Sequence, residues 1–147
     1  MLARRELTVE GVRSRLRDRE YSNTEISTAV DRLLETGALD DARVARAYAR
    51  TAAAVKGRGR LRVVRELHAM GVARQTAAEA VAEVFGDLDE RTMIAKALQK
   101  KLRGRTKLRD QSERARLYQF LMRQGFTPAG ITAALRKVGG RSDPDES

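Results

Sequence analysis

Three leucines, Leu16, Leu67 and Leu121, stand 51 and 54 residues apart, and the residues that follow them keep step. Five residues after each come Tyr21, Val72 and Phe126; ten after, Ile26, Ala77 and Ile131; fourteen after, Val30, Val81 and Leu135. Gly71 and Gly125 stand immediately before Val72 and Phe126, where the first copy has Glu20 before Tyr21. Four apolar positions held in register over three copies mark an internal repeat, whose units bury their apolar faces against one another. No stretch alternates apolar and polar residues as a strand would, so the repeating unit is helical and the class is all-α.

The middle copy, Lys56 to Val72 (KGRGRLRVVRELHAMGV), contains both an architectural unit and a candidate binding surface. On a helix, Arg58, Arg62 and Arg65 fall at i, i+4 and i+7 on one stripe, while Leu61, Val64 and Leu67 lie on another face. Gly71 suits a left-handed helix end, since without a Cβ it meets no steric penalty there. A turn and a second helix follow. The preceding Lys56–Gly59 stretch is a linker, not a phosphate loop, because no GxxxxGK[ST] pattern is present.

Elsewhere the chain alternates start and stop signals. Met1–Glu6 is the stub of a helix, and Thr8 caps a helix carrying Val9, Val12 and Leu16. Ser22 with Glu25 is a capping box ahead of Ile26, Val30, Leu33 and Leu34, and Gly37 ends that helix. Asp40 and Asp41 open a helix with Val44, Ala45, Tyr48 and Ala52 inward; two adjacent carboxylates before an apolar run are a cap rather than a catalytic or metal pair. A helix over 75–85 places Ala77, Val81, Val84 and Phe85 inward. Asp87 with Glu90 forms a second capping box, after which Ile94, Ala97, Leu98 and Leu102 are buried and Lys96, Lys100 and Arg103 stand opposite. Arg103–Arg109 is expected to be a mobile cationic connector. The last helix pair places Leu117, Leu121 and Met122 inward, turns at Gly125 and restarts with Pro128 in its first position, burying Ile131, Leu135 and Val138. The result is three tandem three-helix repeats, the first incomplete: 1–38, 39–86 and 87–139, with a disordered tail at 140–147.

Chemistry is scarce. The 147 residues contain no cysteine and one histidine, His68, which lies beside Leu67 as a flank residue of a packed helix. With no second histidine or ordered carboxylate cluster near it, the sequence offers no nucleophile, acid–base pair, metal site or cofactor site. The chain is expected not to be an enzyme. Six aromatic residues, none of them tryptophan, argue against the aromatic platforms of single-strand binders. The net charge of +10 attracts polyanions. Its signs are segregated: 56–65 and 91–109 together hold 13 of the 30 basic residues and none of the 20 acids. Solubility alone favours mixed signs, so these runs are a binding surface. From charge geometry the candidate contacts are Lys56, Arg58, Arg60, Arg62, Arg65, Lys96, Lys100, Lys101, Arg103, Arg105, Lys107 and Arg109. No apolar run is long enough to span a membrane, and the charged N-terminus is no secretory signal, so a cytoplasmic monomer is expected.

LARRELTVEGVRSRL near the start, LDDARVARAYAR at 39–50 and GRLRVVRELHAMGV at 59–72, in this order and spacing, resemble the RecX family of regulators of the bacterial RecA recombinase. The resemblance runs from Leu2 to about Val138 and is loosest in the third repeat, at FLMRQGF. It implies tandem three-helix repeats in an elongated, curved array that lies in the groove of a RecA filament on DNA. It further implies restraint of filament growth, ATP hydrolysis, strand exchange and coprotease activity, with no chemistry of the protein's own; weak non-specific nucleic-acid contact is expected from the charge. The family has no invariant catalytic motif, so the basic positions above rest on charge alone. The competing expectation is a stand-alone DNA- or RNA-binding protein, each helix–turn–helix offering a helix to a groove.

Overall fold

The turn that follows each of the three register leucines, Leu16, Leu67 and Leu121, shows most directly how the sequence directs the chain. In the computed structural model, which describes residues 7–139, Glu20, Gly71 and Gly125 all have positive φ, at 66°, 91° and 104°. The same bond closes each turn: the amides of Tyr21, Val72 and Phe126 donate to the carbonyls of Leu16, Leu67 and Leu121 at 3.2, 3.0 and 3.3 Å. This six-to-one bond terminates a helix by satisfying a carbonyl the helix itself leaves unpaired. Glu20 therefore adopts the conformation that glycine supplies in the other two copies.

Eight helices form among the described residues: α1 Val9–Asp18, α2 Asn23–Thr36, α3 Asp41–Ala54, α4 Arg60–Ala69, α5 Arg74–Phe85, α6 Glu90–Leu102, α7 Gln111–Gln124 and α8 Pro128–Gly139. Their starts follow the expected chemistry in part. Thr8 Oγ1 accepts from the Gly11 amide, Ser22 and Glu25 form the reciprocal box, and Gly37 ends α2 in the left-handed region. Asp40 accepts from the Arg43 amide at 3.2 Å, but Asp41 turns away from its own helix and accepts from the Val9 amide, at the start of α1, at 2.9 Å.

Two expectations are corrected. The box at Asp87 and Glu90 does not form: Asp89 is the cap, accepting from the Arg91 amide and the Thr92 hydroxyl, both at 3.1 Å. Glu90 instead accepts from the amide and hydroxyl of Thr127, both at 2.8 Å, so it caps the start of α8. Second, α4 begins at Arg60, so Arg58 precedes the helix and does not share a stripe with Arg62 and Arg65. The Met1–Glu6 stub and the 140–147 tail lie outside the described residues.

Two compact units divide the chain, one of residues up to Thr51 together with Val64–Gly86, the other of Ala52–Val63 together with the residues from Asp87 onward. In the first, α1 packs on α2 around Ile26, Val30 and Leu39, with Val9, Val12, Leu16 and Leu33 at the edge. In the second, α6, α7 and α8 pack together around Ile94, Leu98, Leu102, Leu117, Leu121, Phe126, Ile131 and Leu135. Most apolar positions expected to be inward are core positions, with two corrections: Tyr21 and Leu34 are 49% and 45% exposed, and in α4 Val63 is fully buried while Leu61 and Val64 are half-buried.

Each unit contains one copy of the same joint, in which the start of one helix docks on the left-handed turn ending another. In the first unit, Thr8 Oγ1 donates to the Met70 carbonyl at 3.0 Å, and Glu10 lies against Gly71. In the second, the Gly59 amide donates to the Gln124 carbonyl at 2.7 Å and the Leu61 amide to the Gly125 carbonyl at 3.1 Å. Thr8 and Gly59 are 51 residues apart and their acceptors Met70 and Gln124 are 54 apart, the offsets of the repeat itself. Otherwise orphaned donors at a helix start meet orphaned carbonyls at a helix end, and the opposed partial charges attract. The approach is too close for a side chain: a Cβ on Gly125 would lie 2.6 Å from the Arg62 amide nitrogen and 2.8 Å from the Gly59 carbonyl oxygen.

Candidate polyanion-binding surface

Charge is distributed between the units very unequally. Counted over the described residues, the first unit carries 10 Lys and Arg against 11 Asp and Glu, a net of −1. The second carries 17 against 5, a net of +12. A polyanion is therefore drawn to the second unit, and the first is close to electroneutral.

Helix α6 supplies the best-formed part of this surface. Ile94, Leu98 and Leu102 are buried, which turns Lys96 and Lys100 outward at i and i+4; both are exposed, as are Lys101 and Arg103. Arg103 ends the helix in the left-handed region with φ 50°. Lys101 holds its ammonium 4.4 Å from the centre of the Phe120 ring, a cation–π contact that fixes the lysine on the surface. Along the other basic stretch, Lys56 and Arg60 are exposed, and Arg58 is half-buried. Arg65, exposed on α4, belongs to the near-neutral first unit.

Arg62 and Arg105 are engaged by polar partners of the fold itself. Arg62 Nη1 lies 3.2 Å from the Gln124 side-chain oxygen and 3.4 Å from the Arg123 carbonyl, bracing the joint at Gly125. Arg105 forms an ion pair with Glu113, donating from its two terminal guanidinium nitrogens, Nη1 and Nη2. Glu113 is 7% exposed and also accepts from the Arg109 amide at 2.7 Å. The Arg105 guanidinium, and then the Arg109 amide, hold the Glu113 carboxyl well below the usual glutamate range, at about 2. These contacts correct the expectation of a mobile connector: Arg103–Arg109 is tied to the first turn of α7, where Asp110 also accepts from the Glu113 amide. Lys107 and Arg109 remain exposed beside this anchor.

Charge runs alone did not reveal Glu113, nor the basic residues of α7 and α8, Arg114, Arg116, Arg123, Arg136 and Lys137, which raise the second unit to its net charge. The D-x-x-E spacing of Asp110 and Glu113 was the available signal for the anchor. Among the described residues, no three His, Cys, Asp or Glu side chains are grouped to hold a metal ion. No helix there is long and apolar enough to cross a membrane.

Fold and surface together define a helical-repeat protein with three-helix units and a strongly basic second half. Residues 40–81 match the family model described as the second three-helix domain of RecX, and residues 89–135 the third. The regulatory protein RecX of Vibrio parahaemolyticus is 32% identical over 135 residues, covering 92% of this chain and 84% of that protein. The chain belongs to the RecX family. The regulatory protein RecX of Geobacillus kaustophilus is 32% identical over 99% of this chain, which spans 54% of that protein's length. The crystal structure of RecX from Lactobacillus salivarius superposes with a TM-score of 0.76 at 20% identity, covering 93% of this chain and 88% of that one, and shares the fold.

Proposed function

We propose that this chain is a non-enzymatic regulator that binds the RecA filament on DNA, along its groove, and inhibits recombinase, ATPase and coprotease activities. Membership of a family of regulatory proteins carries the reading, and the +12 charge of the second unit supports a partner built on nucleic acid. The exposed cations Lys56, Arg60, Lys96, Lys100, Lys101, Arg103, Lys107 and Arg109 are the contacts, with Arg65 added from the first unit and Arg58 at the edge. Arg62 and Arg105 support this surface from beneath through their internal partners. In this reading the working divisions are the repeats 1–38, 39–86 and 87–139, and the protein acts as a cytoplasmic monomer.

The test is RecA's DNA-dependent ATPase, titrated with the protein. Hydrolysis should fall with added protein and recover as salt rises, because exposed charge contacts are screened. ATPase unchanged at a protein concentration equal to that of RecA would refute the reading.

A further inference from the structure

Helices α7 and α8 flank a shallow, open groove of about 340 Å³ that the charge runs do not account for. Its volume is within the range of small-ligand sites. Arg114 and Tyr118 line it from α7 and Leu135 from α8, with Gln111, Gln119 and Thr132 supplying polar atoms. Tyr118 is half-buried against the α6–α8 core, which holds its ring in place. Arg114 Nη1 donates to the Leu135 carbonyl at 3.0 Å, which holds the guanidinium plane across the groove while leaving most of its five N–H groups for other acceptors. Among the described residues, no hydrogen bond engages the Tyr118 hydroxyl, the Gln111 and Gln119 amides or the Thr132 hydroxyl. The lining therefore consists of one aromatic ring, one planar cation, an apolar wall and uncommitted groups that both donate and accept, with no carboxylate.

We infer that this groove receives a single unstacked base of a single-stranded nucleic acid. Tyrosine and arginine planes are surfaces on which a splayed base stacks, and amides and hydroxyls read its edge. The surrounding unit, at +12, attracts the strand's phosphates. One tyrosine cannot track successive bases, so the paucity of aromatic residues limits the site to one base rather than excluding it. A duplex keeps its bases stacked and paired and cannot fill the groove. The inference needs no recombinase, so its failure and that of the filament reading are separable.

The test uses the full chain and fluorescence anisotropy with a labelled oligothymidine, a duplex of the same length and a strand of abasic sites. Tyr118→Leu keeps apolar bulk against the core and removes the ring. It should weaken oligothymidine binding roughly five-fold or more, with unchanged helicity, and leave duplex binding within two-fold. Tyr118→Phe should bind like wild type, and the abasic strand should not distinguish wild type from Tyr118→Leu. A ribo-oligomer losing the same factor assigns the groove to bases of either sugar; one indifferent to the substitution assigns it to DNA. Equal losses for strand and duplex, or no loss for the strand, would overturn the inference. So would polyglutamate whose binding falls with Tyr118→Leu as the oligothymidine's does, since the groove would then belong to an acidic protein segment.

Discussion

Replacing Gly125 by alanine adds one methyl group at a point where the fold leaves no room for it. The residue has φ 104°, and its new Cβ would meet the backbone of Gly59 and Arg62, neither of which is a flexible side-chain end. Left-handed strain costs about 1–2 kcal/mol for a residue with a Cβ. Relieving the clash means separating the joint, which removes the Gly59–Gln124 and Leu61–Gly125 hydrogen bonds at about 1 kcal/mol each. The expected loss is about 3–4 kcal/mol. Gly37→Ala is the control, because Gly37 has φ 82° but open space around a built Cβ. It should cost only the strain, about 1–2 kcal/mol. Urea unfolding followed by far-ultraviolet circular dichroism measures both. Losses for the two variants that agree within about 0.5 kcal/mol would show that the joint contributes nothing, and would refute its role in holding the second unit together.

Further outcomes follow from the same geometry. Glu20→Gly should be neutral or stabilising by up to about 1 kcal/mol, since Glu20 already sits at φ 66°, whereas Gly71→Val should be strongly destabilising because a Cβ there would press on the Glu10 side chain, 2.9 Å from its Cγ; a Glu20→Gly variant that melts well below wild type would contradict the shared turn. Glu113 is held at about 2 against an ordinary value of 4.5, so its stabilisation is complete above the ordinary value and is lost as pH falls toward the folded one. Acid unfolding of wild type should therefore steepen between those values, and Glu113→Gln should remove that component while lowering stability at neutral pH; identical pH profiles would show the ion pair to be inert. Replacing Lys96, Lys100 and Arg103 together by glutamate should weaken filament inhibition greatly and leave the melting temperature nearly unchanged, since exposed charges contribute little to folding. Undiminished ATPase inhibition by this variant would show that these cations are only solvated.

The turns, most caps and most of the buried positions were legible in the chain because they are local. The glycine register at Gly71 and Gly125, the Ser22–Glu25 box and the apolar steps of α2, α6 and α8 each involve residues within a turn or two of one another. Even the departure at Glu20 was legible as a departure, although its backbone adopts the same left-handed turn. The sequence misled where a good local use competed with a better distant one. Asp41 could cap α3 but caps α1, and Glu90 could complete a box but caps α8. A carboxylate has the same acceptor oxygens in either role, and packing decides which donors come within reach.

From residue order alone came an all-α repeat, its left-handed turns and an excess of positive charge, since backbone preference, amphipathic period and charge are properties of neighbouring residues. Which arginines face solvent depended on the tertiary structure. Arg62 and Arg65 differ by three positions in one helix, yet Arg62 meets Gln124 from 62 residues away while Arg65 is exposed. Arg105 lies within a run of cations and is drawn inward by Glu113, whose burial would be costly without a guanidinium beside it. The Tyr118 groove likewise exists only because α8 lies beside α7, bringing Thr132 and Leu135 to Arg114. A side chain's partner is set by which backbone segments the core brings together, and that information is not contained in any single stretch of the sequence.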